Sequence, residues 1–252
     1  MRVGKGTRAT ATGHLRSAFY ALGPGGWRDY ITLLHPPYTL WHLSYVVLGA
    51  ALAPAIHYDR LAATLVAFLL GLGFAAHALD ELSGRPLKTQ IPSQVLWLIA
   101  VGGLGGAVGL GVAGSIVVTP WLLAFVAFGL FIAPAYNLEW FGGIFHTDYW
   151  FALAWGSFPL LTAYWVNGQR LELSAFAGAA AAFGLSLAQR TLSQRVRTIR
   201  RRVREVEGTV FYLDGRSERI DRVWALGVEE RALLLLSGTA IAVSVAAVLT
   251  RV

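Results

Sequence analysis

The chain has 252 residues, a net charge of +7 and a composition that is 56% hydrophobic and only 14% charged, against roughly 25% charged in an ordinary soluble domain. These figures exclude a disordered chain, a small secreted scaffold and a soluble enzyme; with 9 Trp, 9 Tyr and 13 Phe they describe an integral membrane protein with interfacial aromatics. There is no cysteine, which excludes disulfides, iron–sulfur clusters, thiolate zinc sites and cysteine nucleophiles.

Residues 1–30 carry Arg2, Lys5, Arg8 and Arg16 but no apolar core, so they read as a cytoplasmic N-terminal tail and not as a secretory signal. A spanning helix takes about 20 mostly apolar residues. Candidate spans run over Tyr38–Ile56, Leu61–Leu79, Val95–Val118, Trp121–Tyr136, Tyr149–Val166, Leu173–Ala188 and Ala232–Leu249. The expected fold is an all-α polytopic transmembrane bundle of about seven spans. Residues 31–190 form its six-span core, 191–231 a basic cytoplasmic loop and 232–252 the last transmembrane helix. With the N-terminus inside, Arg60, Arg170 and Arg251 are the only ones of the 21 Lys and Arg residues that fall outside. The positive-inside rule therefore selects this orientation, in an inner (plasma) membrane.

The third span contains GxxxG pairs at Gly102/Gly106 and Gly105/Gly109, which favour close helix approach. Gly109, Gly111 and Gly114 also match GxGxxG, but no strand precedes them, so no nucleotide cofactor is expected. In the basic loop, Leu192, Val196, Ile199, Val203 and Val206 form one apolar stripe among arginines. A helix over 191–207 lying on anionic lipid headgroups is expected, with a basic lid over an anionic substrate as the sharper alternative. Beyond it, TVFYLDGRSERI reads as a short hairpin turning at Asp214-Gly215. The basic charge marks a membrane side, and nucleic acid is not an expected partner.

Ionisable residues at the membrane boundary are costly to desolvate and are functional candidates. His77, Asp80 and Glu81 fall on one face at the end of the second span, with Arg85 and Lys88 in the loop that follows. Carboxylates beside cations suit a magnesium-bound diphosphate: Asp80 and Glu81 on the metal, Arg85 and Lys88 on phosphate oxygens. The loop between the fourth and fifth spans supplies Tyr136, Asn137, Glu139, His146 and Asp148, with Gly142-Gly143 allowing a tight reversal. Both clusters fall on the cytoplasmic side and form the opposite walls of one expected site. Two histidines and four carboxylates also suit a pair of transition metals. His35, His42 and His57 read as interfacial or packing residues, with His42 the one able to face a cavity. Trp155, Phe158, Tyr164 and Trp165 read as packing or anchoring residues, and whichever of these rings faces the cavity is a candidate for cation stabilisation through its π face.

Three features resemble the UbiA superfamily of intramembrane prenyltransferases: the opening of the first span, LLHPPYTLWHLSYVVLGAAL; the acidic end of the second span followed by Gly84-Arg85-Pro86-Leu87; and the order of spans with polar cytoplasmic loops. The resemblance covers roughly residues 30–190. The family's second aspartate-rich motif has no counterpart, because its position reads Gln189-Arg190-Thr191-Leu192-Ser193-Gln194-Arg195, so either arginines hold the diphosphate directly, or Glu139 and Asp148 stand in, or the activity has changed. The resemblance implies prenyl transfer from an isoprenoid diphosphate to a lipophilic acceptor. It implies Mg2+ on Asp80 and Glu81, substrate contacts from Arg85, Lys88, His77, Tyr136 and Asn137, and a base or supporting role for Glu139, His146 and Asp148. No haem is expected. Beside this reading stand a non-catalytic lipid-binding or assembly protein, a metal-dependent enzyme using the His and carboxylate cluster, and a transporter.

Overall fold

The computed structural model describes residues 16–251, so Arg2, Lys5 and Arg8 of the expected tail lie outside the described residues. Among the described residues the chain is mostly helical, with one small hairpin. Its elements are α1 (Trp27–Leu33), α2 (Pro36–Leu52), α3 (Tyr58–Leu82), α4 (Ser93–Val117), α5 (Leu122–Asn137), α6 (148–168), α7 (Leu173–Arg202), β1 (Gly208–Phe211), β2 (Ser217–Ile220) and α8 (Arg222–Leu249). Three of them, α3, α4 and α8, are long and apolar enough to cross a membrane, and α5 is a shorter apolar helix. On α4, Leu98, Ile116 and Val117 are strongly exposed. Large apolar side chains exposed at both ends of a helix this apolar favour a surrounding other than water.

Local chemistry sets the helix boundaries. Pro36 and Pro37 open α2, where a missing N–H costs nothing. Thr147 caps α6 and Asp221 caps α8 through side-chain oxygens that accept from Trp150 and Trp224 N–H groups. Two helices carry π-helical turns, Leu69–Ala76 in α3 and Ala152–Ser157 in α6. Each wide turn lies against a small residue. A Cβ on Gly103 of α4 would sit 2.6 Å from the Leu70 carbonyl oxygen, and one on Gly156 would sit 2.7 Å from that of Ala182 in α7. The close approach of α4 to α3 is therefore made at Gly103 and Gly106. Gly102, Gly105 and Gly109, three of the four glycines in the expected GxxxG pairs, face open space.

α2 packs against α8 and the second half of α6, while α7 packs against α8 and the π turn of α6. The two ends of the bundle differ in chemistry. At one end the His57 N–H donates to Asn167, Arg60 donates to the Val166 carbonyl, and Arg251 donates to the Ala53 and Pro54 carbonyls. The other end gathers the start of α2, the ends of α3, α5 and α7, and the start of α6, and it holds a polar cavity.

The basic region departs from expectation. α7 continues unbroken to Arg202, so no separate surface helix begins near residue 191. Leu192, Val196 and Ile199 do not face lipid; they pack on Leu226 and Leu233 of α8 and on Phe19. The partner of the apolar stripe is a helix of the same chain. Arg195 and Arg200 pair with Glu229 and Glu230 of that helix. Residues 208–220 form an antiparallel hairpin, Thr209 opposite Arg219, with Gly215 at φ 81° in its turn. Residues 16–30 are not a free tail either. Asp29 is buried and accepts from the Gly25 and Gln90 N–H groups, and Ser17 and Tyr20 line the polar cavity.

Candidate active site

The polar cavity has a volume of about 560 Å3. α3 supplies His77 and Asp80, delivered by the π turn that ends at Ala76. π turns recur at functional sites because they rotate the following residues out of helical phase. The end of α5 and the reversal after it supply Tyr136, Asn137, Glu139 and His146. Backbone at positive φ in Glu139, Phe141, Gly142 and Gly143 makes that reversal. The structure thus brings together six residues of the two sequence clusters.

Four others lie elsewhere. Glu81 is fully buried, and its carboxylate accepts from the Leu87 N–H at 2.9 Å, the Thr89 N–H at 2.8 Å and the Thr89 hydroxyl at 2.9 Å. It is the organising centre of the 83–90 loop. Arg85 is spent on that loop too, donating to the Ile91 carbonyl and the Ser93 hydroxyl. Lys88 is exposed and is not part of the cavity lining. Asp148 pairs with Arg190 at 2.9 Å and accepts from Gln194 at 2.7 Å, so it orients a cavity cation from behind.

Sequence reasoning raised arginines as possible direct holders of an anionic substrate without singling any out, and the structure places arginines of α7 at the cavity. Arg190, Arg197 and Arg201 line the cavity. At 3.6 residues per turn their positions fall within roughly 40° of one another. Arg190 is also stacked over the Phe151 ring at 5.2 Å. Neither Arg197 nor Arg201 has a carboxylate within ion-pair reach among the described residues. Burial, and then the neighbouring Arg190 and Arg201, hold the Arg197 guanidinium below the usual arginine range. Their common phase on the helix was the available signal.

Histidines form the remaining wall. His35 and His77 rings lie 4.1 Å apart, centroid to centroid, and His42 lines the same cavity. His77 Nδ1 meets the Gly73 carbonyl at 3.0 Å. A carbonyl only accepts, so Nδ1 carries the proton and Nε2 keeps its lone pair. Burial, then His77 and two arginines, hold His35 well below the usual histidine range, so it is neutral. His35 Nε2, His42 Nδ1, Tyr136 Oη and Gln189 Oε1 are buried without a hydrogen-bond partner among the described residues. Unpaired polar atoms are costly, and four of them around one cavity describe a site organised for a polar occupant.

A second, apolar cavity of about 400 Å3 runs between α3, α4, α5 and α6. Phe68, Phe125 and Phe158 line it, and Trp155 borders both cavities. At that border Trp155 stacks on Phe151 at 5.7 Å and lies 4.6 Å from the Tyr136 ring.

The donor set does not fit the expected Mg2+ on Asp80 and Glu81. Glu81 oxygens already accept three hydrogen bonds, and no group of three His, Asp or Glu side chains converges among the described residues. Comparison of the chain with protein-family models, curated proteins and solved structures returned no match.

Proposed function

We propose that this chain is a multi-pass enzyme of the inner (plasma) membrane, spanning it about seven times with the polar cavity on the cytoplasmic side, that transfers a prenyl group from an isoprenyl diphosphate to a lipophilic acceptor. The observation that carries this reading is the pairing of two cavities across Trp155: an arginine-lined polar one and an aromatic-lined apolar one. An amphipathic molecule with an anionic head and a long apolar tail matches both at once. The resemblance to UbiA prenyltransferases supplies the reaction.

In that reaction the bond between the first prenyl carbon and the diphosphate oxygen breaks, and its electron pair leaves with the diphosphate. The guanidinium groups of α7 stabilise the departing charge in a site of low dielectric. The rings of Trp155 and Tyr136, close together at the border of the two cavities, are the aromatic groups available to the electron-poor allylic carbon. The acceptor's nucleophilic atom bonds to that carbon, and its proton passes to His77 Nε2, the lone pair left free by the Gly73 contact.

Incubating the full-length protein in lipid nanodiscs with labelled geranylgeranyl diphosphate and a bacterial lipid extract tests this. Release of diphosphate together with a labelled lipid product is expected. A second reading, a non-catalytic lipid-binding protein, is favoured by the loss of Glu81 and Arg85 to loop structure. Binding without release of diphosphate would establish it in place of the enzyme.

A further inference from the structure

Resting on the reading of an isoprenyl diphosphate as substrate, we infer that its head is held by the guanidinium groups of Arg190, Arg197 and Arg201 directly, without a divalent cation. A metal-bridged head needs carboxylates facing the cavity with free oxygens. Of those expected, Glu81 is enclosed by its own loop and Asp148 is turned to Arg190, while Glu139 is 60% exposed at the rim. Asp80 and Glu139 are the two of these four carboxylates that line the cavity, and Asp80 is the less exposed of them.

The cations are arranged in the opposite way. Arg190 is held at Nε by Asp148 and lies over the Phe151 ring, and its two terminal nitrogens make no hydrogen bond among the described residues. Arg201 is steadied by donating Nε–H to the Ser17 carbonyl at 3.2 Å. Arg197 stands between them without a hydrogen-bond partner among the described residues, in mutual repulsion with both. Guanidinium forks match phosphate oxygens in pairs, and an anion with at least two charges relieves that repulsion. The unpartnered Tyr136 hydroxyl adds a donor on the facing wall. The site therefore holds its compensating positive charge in the protein rather than in a bound metal.

The test measures binding of labelled geranylgeranyl diphosphate to the full-length protein in nanodiscs, in EDTA and in millimolar magnesium, with inorganic diphosphate as competitor. Affinities within about twofold of each other and displacement by inorganic diphosphate are expected. Arg197→Gln is expected to weaken binding at least tenfold, the scale of a charge-assisted hydrogen bond, with an unchanged melting temperature. Asp80→Asn is expected to bind at least as tightly as the parent, because it removes negative charge beside an anion. Binding lost in EDTA, or lost on Asp80→Asn, overturns the metal-free head while leaving the isoprenoid reading intact. No binding in either buffer overturns both.

Discussion

Glu81 and Asp80 are adjacent in the chain and have different work. Replacing Glu81 by Ala strands the Leu87 and Thr89 N–H groups, each at a cost of about 1–3 kcal/mol. Glu81→Ala is therefore expected to lower the melting temperature by several degrees, and Asp80→Ala to leave it nearly unchanged. Thermal unfolding in detergent reads both, and equal shifts would contradict the division. Asp148 acts through Arg190, so Asp148→Asn is expected to weaken isoprenyl diphosphate binding roughly tenfold, whereas an unaltered affinity would remove its positioning role. In the sequence, His77, Asp80, Tyr136, Asn137, Glu139 and His146 were legible as a site because ionisable groups are rare in so apolar a chain. Glu81 and Arg85 were not separable from them, since their partners are backbone groups that the loop presents only once it is folded. His42 was legible as the histidine able to face a cavity, whereas His35 read as an interfacial or packing residue because nothing in the local sequence reveals that its free nitrogen meets one.

Among the elements, the π turns of α3 and α6 decide what faces the cavity. Their sequences, LLGLGFAA and ALAWGS, are apolar and carry no signature distinguishing them from ordinary helix. Gly103 and Gly156 mark where these turns touch neighbours, yet one span contains many glycines and composition does not select among them. Gly156→Val is expected to push α6 from α7 through the Ala182 carbonyl, at a cost of about 1–3 kcal/mol. Lower thermal stability together with weaker diphosphate binding would follow, and normal values for both would contradict the contact. α7 shows most clearly how a local pattern is read wrongly. Its apolar stripe and its arginine face were both visible in the sequence, but the stripe suited a lipid surface as well as it suited α8. Only the tertiary contact with Leu226 and Leu233 sets which way the arginines point.

At the scale of the whole molecule, the helical fold and its apolar surface followed directly from composition, and α3, α4 and α8 meet the length and hydropathy needed to cross a membrane. The bundle has a polar end with the cavity and a second end joined by Arg60, Arg251 and Asn167. The natural absence of cysteine makes single-cysteine labelling clean. Asp214→Cys in the hairpin and Ala55→Cys between α2 and α3 are expected to react from opposite sides of sealed vesicles, the former from the cytoplasmic side. Labelling of both from one side would contradict the proposed topology.

The central claim is that one molecule occupies both cavities, its charged head among the α7 arginines and its isoprenoid tail beside Phe125 and Phe158. Photo-crosslinking with an isoprenyl diphosphate analogue bearing a diazirine at the tail terminus tests this most directly, with adducts mapped by mass spectrometry. The account expects adducts in residues 122–133 and 158–166, abolished by excess unlabelled diphosphate substrate and reduced by Arg197→Gln. Adducts confined to the exposed faces of α4 and α8, or insensitive to competitor, would contradict it.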